Sequence, residues 1–266
     1  MSEPALWRAI VLSLIPGLFW LTYLRSLSRR GVPLGFWLWA LALGWASAQL
    51  TLWLSETLGV AALQALPMVG ALVYFVLGVG LVEEGAKAFC ALAGLSAVRA
   101  IREPLVTLQL AGAVALGFAT TENVLYVGRH GEGVLVGRFL FATLGHVLFS
   151  SVWGLALAGT GRRRWGQLAG GLSLSSLAHG LYDWFLLTDR PVLAVLTLVV
   201  LWFGFRQAAL EAFLRQEYER ELPYETRECP SCRVLTRAEG CYCSFCGCSM
   251  SVPEEGKSTC SSPQGA

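Results

Sequence analysis

Four short stretches of this 266-residue chain carry ionisable side chains inside otherwise apolar sequence. EEGAK at 83–87 supplies Glu83, Glu84 and Lys87, and GFATTENVLY at 117–126 supplies Glu122 and Asn123. His146 comes next, with Ser150 four residues on, and HGLYD at 179–183 adds His179 and Asp183. A charge in hydrocarbon costs about 2.5–3.5 kcal/mol even on insertion-based scales, so each of these groups needs a reason to be there. Glutamates beside histidines suit hydrolysis by an activated water. A carboxylate in a low-dielectric pocket can act as general base or acid, and Asn123 or a histidine can donate to an oxyanion. His179, oriented by Asp183, can carry a proton. Alternatively Glu122, His146 and His179 form the pairing of two imidazoles and one carboxylate that holds many catalytic divalent metals. The residue types leave both routes open. No H-E-x-x-H, G-x-S-x-G or G-x-G-D motif occurs, and Cys90 is a lone thiol best read as packing.

The elements that must position these groups are membrane helices. Hydrophobic residues make up 55% of the chain and charged residues 14%, with a mean hydropathy of +0.57. A soluble domain carries about 25% charged residues, so this chain has too few to cover a water-soluble globule. The net charge of +2 gives no reason to expect a nucleic-acid partner. Stretches long enough to span a bilayer predict about seven crossings, at 6–24, 33–54, 66–98, 105–127, 138–159, 166–187 and 190–206. The fold class is therefore an all-α integral membrane protein. Arginines fall on one set of loops: Arg25, Arg29 and Arg30; Arg99 and Arg102; Arg162, Arg163 and Arg164. Positive charge marks the cytoplasmic side, which predicts an outside N-terminus and a cytoplasmic C-terminus in a multi-pass protein of the cell membrane. At 1.5 Å per residue, Glu122 then lies about 8 Å below the outer surface, the two histidines about 12 Å and Asp183 about 6 Å. Anchoring the overlong third span at Val98 puts Glu83 about 8 Å deep as well. Residues 66–77 must then tilt, protrude or re-enter. The expected result is one polar cluster in the outer leaflet, within a bundle over 1–206 whose chemical core covers about 60–190.

Beyond the bundle, residues 207–228 read as a charged cytoplasmic helical linker and 251–266 as a disordered tail. Between them, Cys229 and Cys232 are followed after ten residues by Cys243 and Cys246. Two C-x2-C turns at such spacing predict a structural Zn2+ site of the zinc-ribbon type over 229–250. Disulfides are the competing use of these thiols, and they conflict with a cytoplasmic position. Cys241 and Cys248 stand close enough for ligand exchange. Cys260 lies in the tail. The ribbon is expected to serve as a structural knob or to recruit a cytoplasmic protein partner.

Taken in order and spacing, EEGAK, GFATTENVLY, His146 and HGLYD resemble the PrsW-type intramembrane proteases, distant relatives of the CAAX-prenyl-endopeptidase superfamily. The resemblance covers about residues 60–190. It implies a helical bundle that cleaves a membrane-anchored protein, and the family's best-known substrate is an anti-sigma factor cut on the extracytoplasmic side. By position it makes Glu83, Glu84, Glu122, His146 and His179 the catalytic candidates, with Lys87, Asn123 and Asp183 in support. It implies either glutamate-type or metal-dependent hydrolysis. Two other classes of function remain alternatives: a non-enzymatic membrane scaffold working through its ribbon, and a proton- or ion-coupled transporter.

Overall fold

The computed structural model describes residues 3–28, 32–60, 68–97, 103–158, 161–221, 226–232, 234–237, 242–243 and 245–250. Arg29, Arg30, Arg99, Arg102, Cys241, Cys260 and the expected disordered tail lie outside the described residues.

Each apolar stretch read from the sequence is helical over most of its described residues. The helices are α1 (Glu3–Ser26), α2 (Leu34–Thr57), α3 (Met68–Val73), α4 (Val82–Ala97), α5 (Pro104–His130), α6 (Val134–Gly137), α7 (Thr143–Ala156), α8 (Gly161–Leu187) and α9 (Pro191–Glu221). Among the described residues, four helical runs are long and apolar enough to cross a membrane: Ala5–Ser26, Pro104–His130, Val134–Ala156 and Pro191–Glu217. Two π-helical stretches interrupt the regular hydrogen bonding. Tyr74–Leu81 joins α3 to α4, and Arg138–Ala142 joins α6 to α7. Each lies just ahead of residues that matter chemically, Glu83 in one case and His146 in the other. The widened turns of a π-helix commonly mark functional sites.

α5 is the axis of the bundle. Every residue from Leu105 to Ala119 is buried, as expected of a helix apolar all round. α1, α2 and α7 pack against it, while α8 packs on α7 and on the π stretch Tyr74–Leu81. That last crossing is close enough to demand glycine. A Cβ on Gly80 would collide with the Ser176 carbonyl, and one on Gly180 would meet the backbone of Phe75 and Val76. Small residues at helix crossings let backbones approach in this way, and here the approach carries His179 to the start of α4. Large apolar side chains such as Trp45, Trp53, Leu18, Val200 and Phe203 remain exposed on the outside of α1, α2 and α9, where a bilayer would cover them.

Polar contacts identify the two ends of the bundle. Arg8 near the start of α1 bonds Glu132 beyond the end of α5 at 2.7 Å. At the other end, Gln216 of α9 receives a bond from Ser28 and donates one to Glu103. The connections following α1 and preceding α5 therefore share an end with the distal part of α9.

Candidate active site

α4, α5, α7 and α8 bring all four polar stretches into one cluster. Glu84 is its fully buried centre. Lys87 Nζ and Ser150 Oγ each donate to it at 2.7 Å, Trp153 Nε1 at 2.9 Å, and His179 Nδ1 lies 3.2 Å away. Four donors from three helices saturate that carboxylate, which leaves it little capacity to take a proton from water.

Glu83, its neighbour, is placed differently. A helix turns by about 100° per residue, so adjacent side chains face different directions. Glu83 opens on a cavity of about 480 Å³ that Glu122 also lines. Its Oε2 is buried and has no hydrogen-bond partner. Its charged neighbours are Lys87 Nζ at 3.6 Å and His179 Nε2 at 3.8 Å. An orphaned buried carboxylate oxygen calls for an explanation, and a water, an ion or a substrate group provides one.

Lys87, also fully buried, reaches His146 Nδ1 at 3.0 Å. An ammonium only donates, so Nδ1 is the acceptor and His146 carries its proton on Nε2. That Nε2–H faces Glu122 Oε2 at 2.8 Å. Arg138 Nη2 donates to the same oxygen at 2.6 Å, while Arg138 Nε donates to Asn123 Oδ1 at 2.5 Å and the guanidinium stacks over Tyr126. Asn123 Nδ2 in turn donates to Thr143 Oγ1 at 3.2 Å. Asn123, expected as an oxyanion donor, thus has its amide engaged in tying α5 to the second π stretch and α7. Asp183 Oδ2 lies 3.6 Å from His179 Nε2, one turn along α8.

Sequence reasoning gave Arg138 no place in the site. Its spacing from Glu122 carries no signal, because the turn between α5 and α6 is what folds it back. The expected metal triad also changes membership. The carboxylate whose ligand atom lies within 4.8 Å of one atom from each of His146 and His179 is Glu83, and Glu122 binds Arg138 and His146 instead. The set fits a divalent ion in three respects. Glu83 Oε2 is unpartnered. His179 offers Nε2 while Glu84 holds its Nδ1, the carboxylate–imidazole pairing usual behind a metal ligand. Four carboxylates meet only two permanent cations, so the cluster with neutral imidazoles is two charges negative. Its demand falls on His146, which must free a ring nitrogen: Nε2 by leaving Glu122 and moving its proton to Nδ1, or Nδ1 by giving up the bond from Lys87.

The cysteine array forms a second constellation. β1 (Thr226–Glu228) pairs antiparallel with β2 (Leu235–Arg237), in register Thr226 to Arg237 and Glu228 to Leu235. A second tight turn is closed by the Tyr242–Ser249 bridge and by Gly247, whose φ of 71° lies in the left-handed region that glycine tolerates. One atom from each of Cys229, Cys232, Cys243 and Cys246 falls within a 4.8 Å group. The Cys229–Cys246 and Cys232–Cys243 sulfurs are 3.5 and 3.7 Å apart. Zn–S bonds of about 2.3 Å in a tetrahedron give edges of about 3.8 Å, so the spacing suits zinc. It is far too long for disulfides, and these cysteines are free thiols. The N–H groups of Phe245 and Cys246 point at Cys243 Sγ. Burial pushes the Cys229 thiol up, but hydrogen bonds from the Cys232 and Ser231 backbone and the Cys248 and Cys232 thiols outweigh it and bring it down to about 6. Cys248 Sγ is 3.2 Å from Cys229 Sγ, within reach of the exchange expected of it. Phe245 packs both on the sulfur cluster and on the core of the helical bundle.

Comparison with known proteins gives a consistent result. A family model described as "PrsW family intramembrane metalloprotease" matches residues 32–206, which includes every member of the polar cluster and ends before the ribbon. A relative named "Protease PrsW" from Geobacillus kaustophilus is 35% identical over 92 residues, 33% of this chain and 40% of the relative. Another of that name, from Bacillus subtilis, is 32% identical over 139 residues, 48% of this chain and 62% of the relative. A third, from Clostridioides difficile, is 27% identical over 135 residues, 46% and 57% of the two chains. The chain thus spans about half the length of the curated relatives it matches. No solved structure matches it.

Proposed function

The chain belongs to the PrsW family of intramembrane metalloproteases, and on that footing we propose that it hydrolyses a peptide bond in a membrane-anchored protein. The observation that carries this reading is the unpartnered, buried Glu83 oxygen on a cavity beside His179 and Glu122. Glu83 is the carboxylate free to accept the proton of an attacking water. Between the carboxylates of Glu83 and Asp183, His179 Nε2 can receive that proton and deliver it to the leaving amine, while Glu84 keeps the ring in place from Nδ1. Glu122, clamped by Arg138, holds His146 by its Nε2. On the alternative, metal-dependent route Glu83, His146 and His179 would hold a divalent ion, and Glu83 and His179 Nε2 would then be ligands rather than proton carriers. Such an ion supplies an acidified water and a polarised scissile carbonyl.

The same reading takes α1, α2, the run 68–97, α5, the run 134–156, α8 and α9 as seven crossings of the cell membrane. The outer end is that of Arg8 and Glu132, and the ribbon is cytoplasmic. The arginine distribution and the shared end of Ser28, Glu103 and Gln216 support that orientation. The substrate is a single-pass protein cut in its outer half, and an anti-sigma factor is the kind the resemblance implies. Coexpression with a library of single-pass reporters tests the whole reading. The expected result is products whose new termini map to the outer half of the reporter span. Absence of products across the library overturns the protease, and termini in the cytoplasmic half overturn the orientation.

The ribbon is proposed to hold a structural zinc on Cys229, Cys232, Cys243 and Cys246 and to meet a cytoplasmic protein. Replacing Cys232 by serine is expected to lower the zinc content of the purified full chain by about one equivalent, because structural sites of this kind are built from four ligands. Unchanged zinc in the C232S protein would rule out the site.

A further inference from the structure

The cavity beside Glu83 has a wall that the polar cluster does not use. That wall is α2, which presents Ala48, Thr51, Leu52 and Ser55 to it at spacings of three and four residues, one face of a helix. The facing wall is the π stretch, through Tyr74, Gly78 and Val79, and Phe118 and Glu122 of α5 lie between the two. α2 packs along α4 and α5, whereas the π stretch packs along α8. The cavity therefore occupies a wedge between two packed sets of helices, with Glu83 in its lining.

Thr51 is the unusual member of the wall. It is 8% exposed, and its hydroxyl has no hydrogen-bond partner. Helical threonines ordinarily return the hydroxyl to a carbonyl one turn back. Thr57 does so to Trp53 at 2.7 Å, Thr121 to Gly117 at 3.0 Å and Thr197 to Leu193 at 3.0 Å. Thr51 does not. A buried hydroxyl without a partner weakens the free protein, so its presence on the wall of this cavity points to a partner that arrives from outside.

The proposed reaction defines that partner's chemistry. A membrane-spanning segment satisfies its backbone internally as a helix, and it can be cut only where that helix opens. Opening leaves backbone N–H and C=O groups in a water-poor site, where each must find a new partner. We infer that α2 is the substrate-facing wall of the cavity and that the Thr51 hydroxyl hydrogen-bonds to the backbone of the unwound substrate segment beside Glu83. The small side chains of Ala48 and Ser55, one turn to either side, leave room for that backbone to approach. This inference rests on the protease reading and adds to it a substrate-binding residue on a helix that carries none of the reacting groups.

The test compares wild type, T51V and T51S as full chains in proteoliposomes, on a reporter peptide that wild type cleaves. The hydrogen bond forms on binding and persists in the transition state, so T51V is expected to raise KM about tenfold with kcat within about twofold. T51S keeps the hydroxyl and should return KM to within about twofold of wild type. Thermal unfolding provides the second readout. T51V removes an unpartnered hydroxyl and should unfold at the same temperature as wild type or higher, which a structural role for Thr51 would not allow. Wild-type kinetics in T51V overturn the inference, as does a KM effect accompanied by a lowered unfolding temperature. A wild type that cleaves no reporter overturns the protease reading itself, an outcome separate from either of these.

Discussion

Replacing Glu83 by glutamine is expected to abolish cleavage while leaving the protein folded. The amide matches the carboxylate in size. The oxygen it alters has no hydrogen-bond partner, and Lys87 lies 3.6 Å from Glu83 but 2.7 Å from Glu84, its principal counter-charge. Little stability therefore depends on the charge at position 83. The chemistry depends on it heavily, since an amide cannot accept the proton of water. General-base catalysis contributes about 10²–10⁴-fold, and on the metal-dependent route the loss would instead be that of an ion held partly by Glu83. Turnover of a reporter in membranes, an unfolding curve and metal content measured on one preparation separate these contributions. Cleavage within about tenfold of wild type, against the loss expected of a base, would remove Glu83 from the reaction.

Glu84→Ala should fail in the opposite way. Here the loss is structural: Ser150, Trp153 and His179 lose their acceptor, and Lys87 is left in the interior without its 2.7 Å counter-charge. Breaking a buried pair by removing one partner costs about 3–5 kcal/mol, a large part of the 5–15 kcal/mol that holds a typical folded domain together. The expected outcome is a sharply lowered unfolding temperature and little folded protein in the membrane fraction. An E84A protein as stable as wild type but inactive would instead place Glu84 among the groups that act on substrate. Together the two variants make a strong pair, because identical adjacent residues are predicted to lose different properties.

That contrast also marks the limit of what could be read from the chain. EEGAK presents two glutamates of equal chemical promise. Both were reasonable catalytic candidates, because type and spacing say that a carboxylate is buried but not what it faces. Two facing walls of the cavity are built by α2 and the π stretch, elements that hold none of the motif residues. Three of the four donors that saturate Glu84 come from α7 and α8, about 65 to 95 positions further along. Arg138 went unnoticed for a related reason. A lone arginine after an apolar stretch reads as a loop charge, and only the return of the chain through α6 sets it on Glu122 and Asn123.

Other features were legible because they depend on local chemistry. Apolar stretches of spanning length become helices wherever water is absent, since the backbone has few other ways to satisfy its hydrogen bonds. Paired cysteines two residues apart make tight turns whose thiols converge, and these four do. Ionisable groups in apolar helices must find one another, and the predicted cluster of Glu83, Glu84, Glu122, His146, His179 and Asp183 did assemble. The sequence by itself thus determined a helical membrane protein, the carboxylates and imidazoles of its polar cluster and the four converging cysteines that follow it. Tertiary structure alone decided which glutamate is free and which is saturated, which carboxylate joins the two histidines, and that Thr51 borders the site. Those outcomes depend on how helices distant in sequence cross, at contacts as close as Gly80 against α8 and Gly180 against the π stretch, and helix-face periodicity carries no record of such crossings.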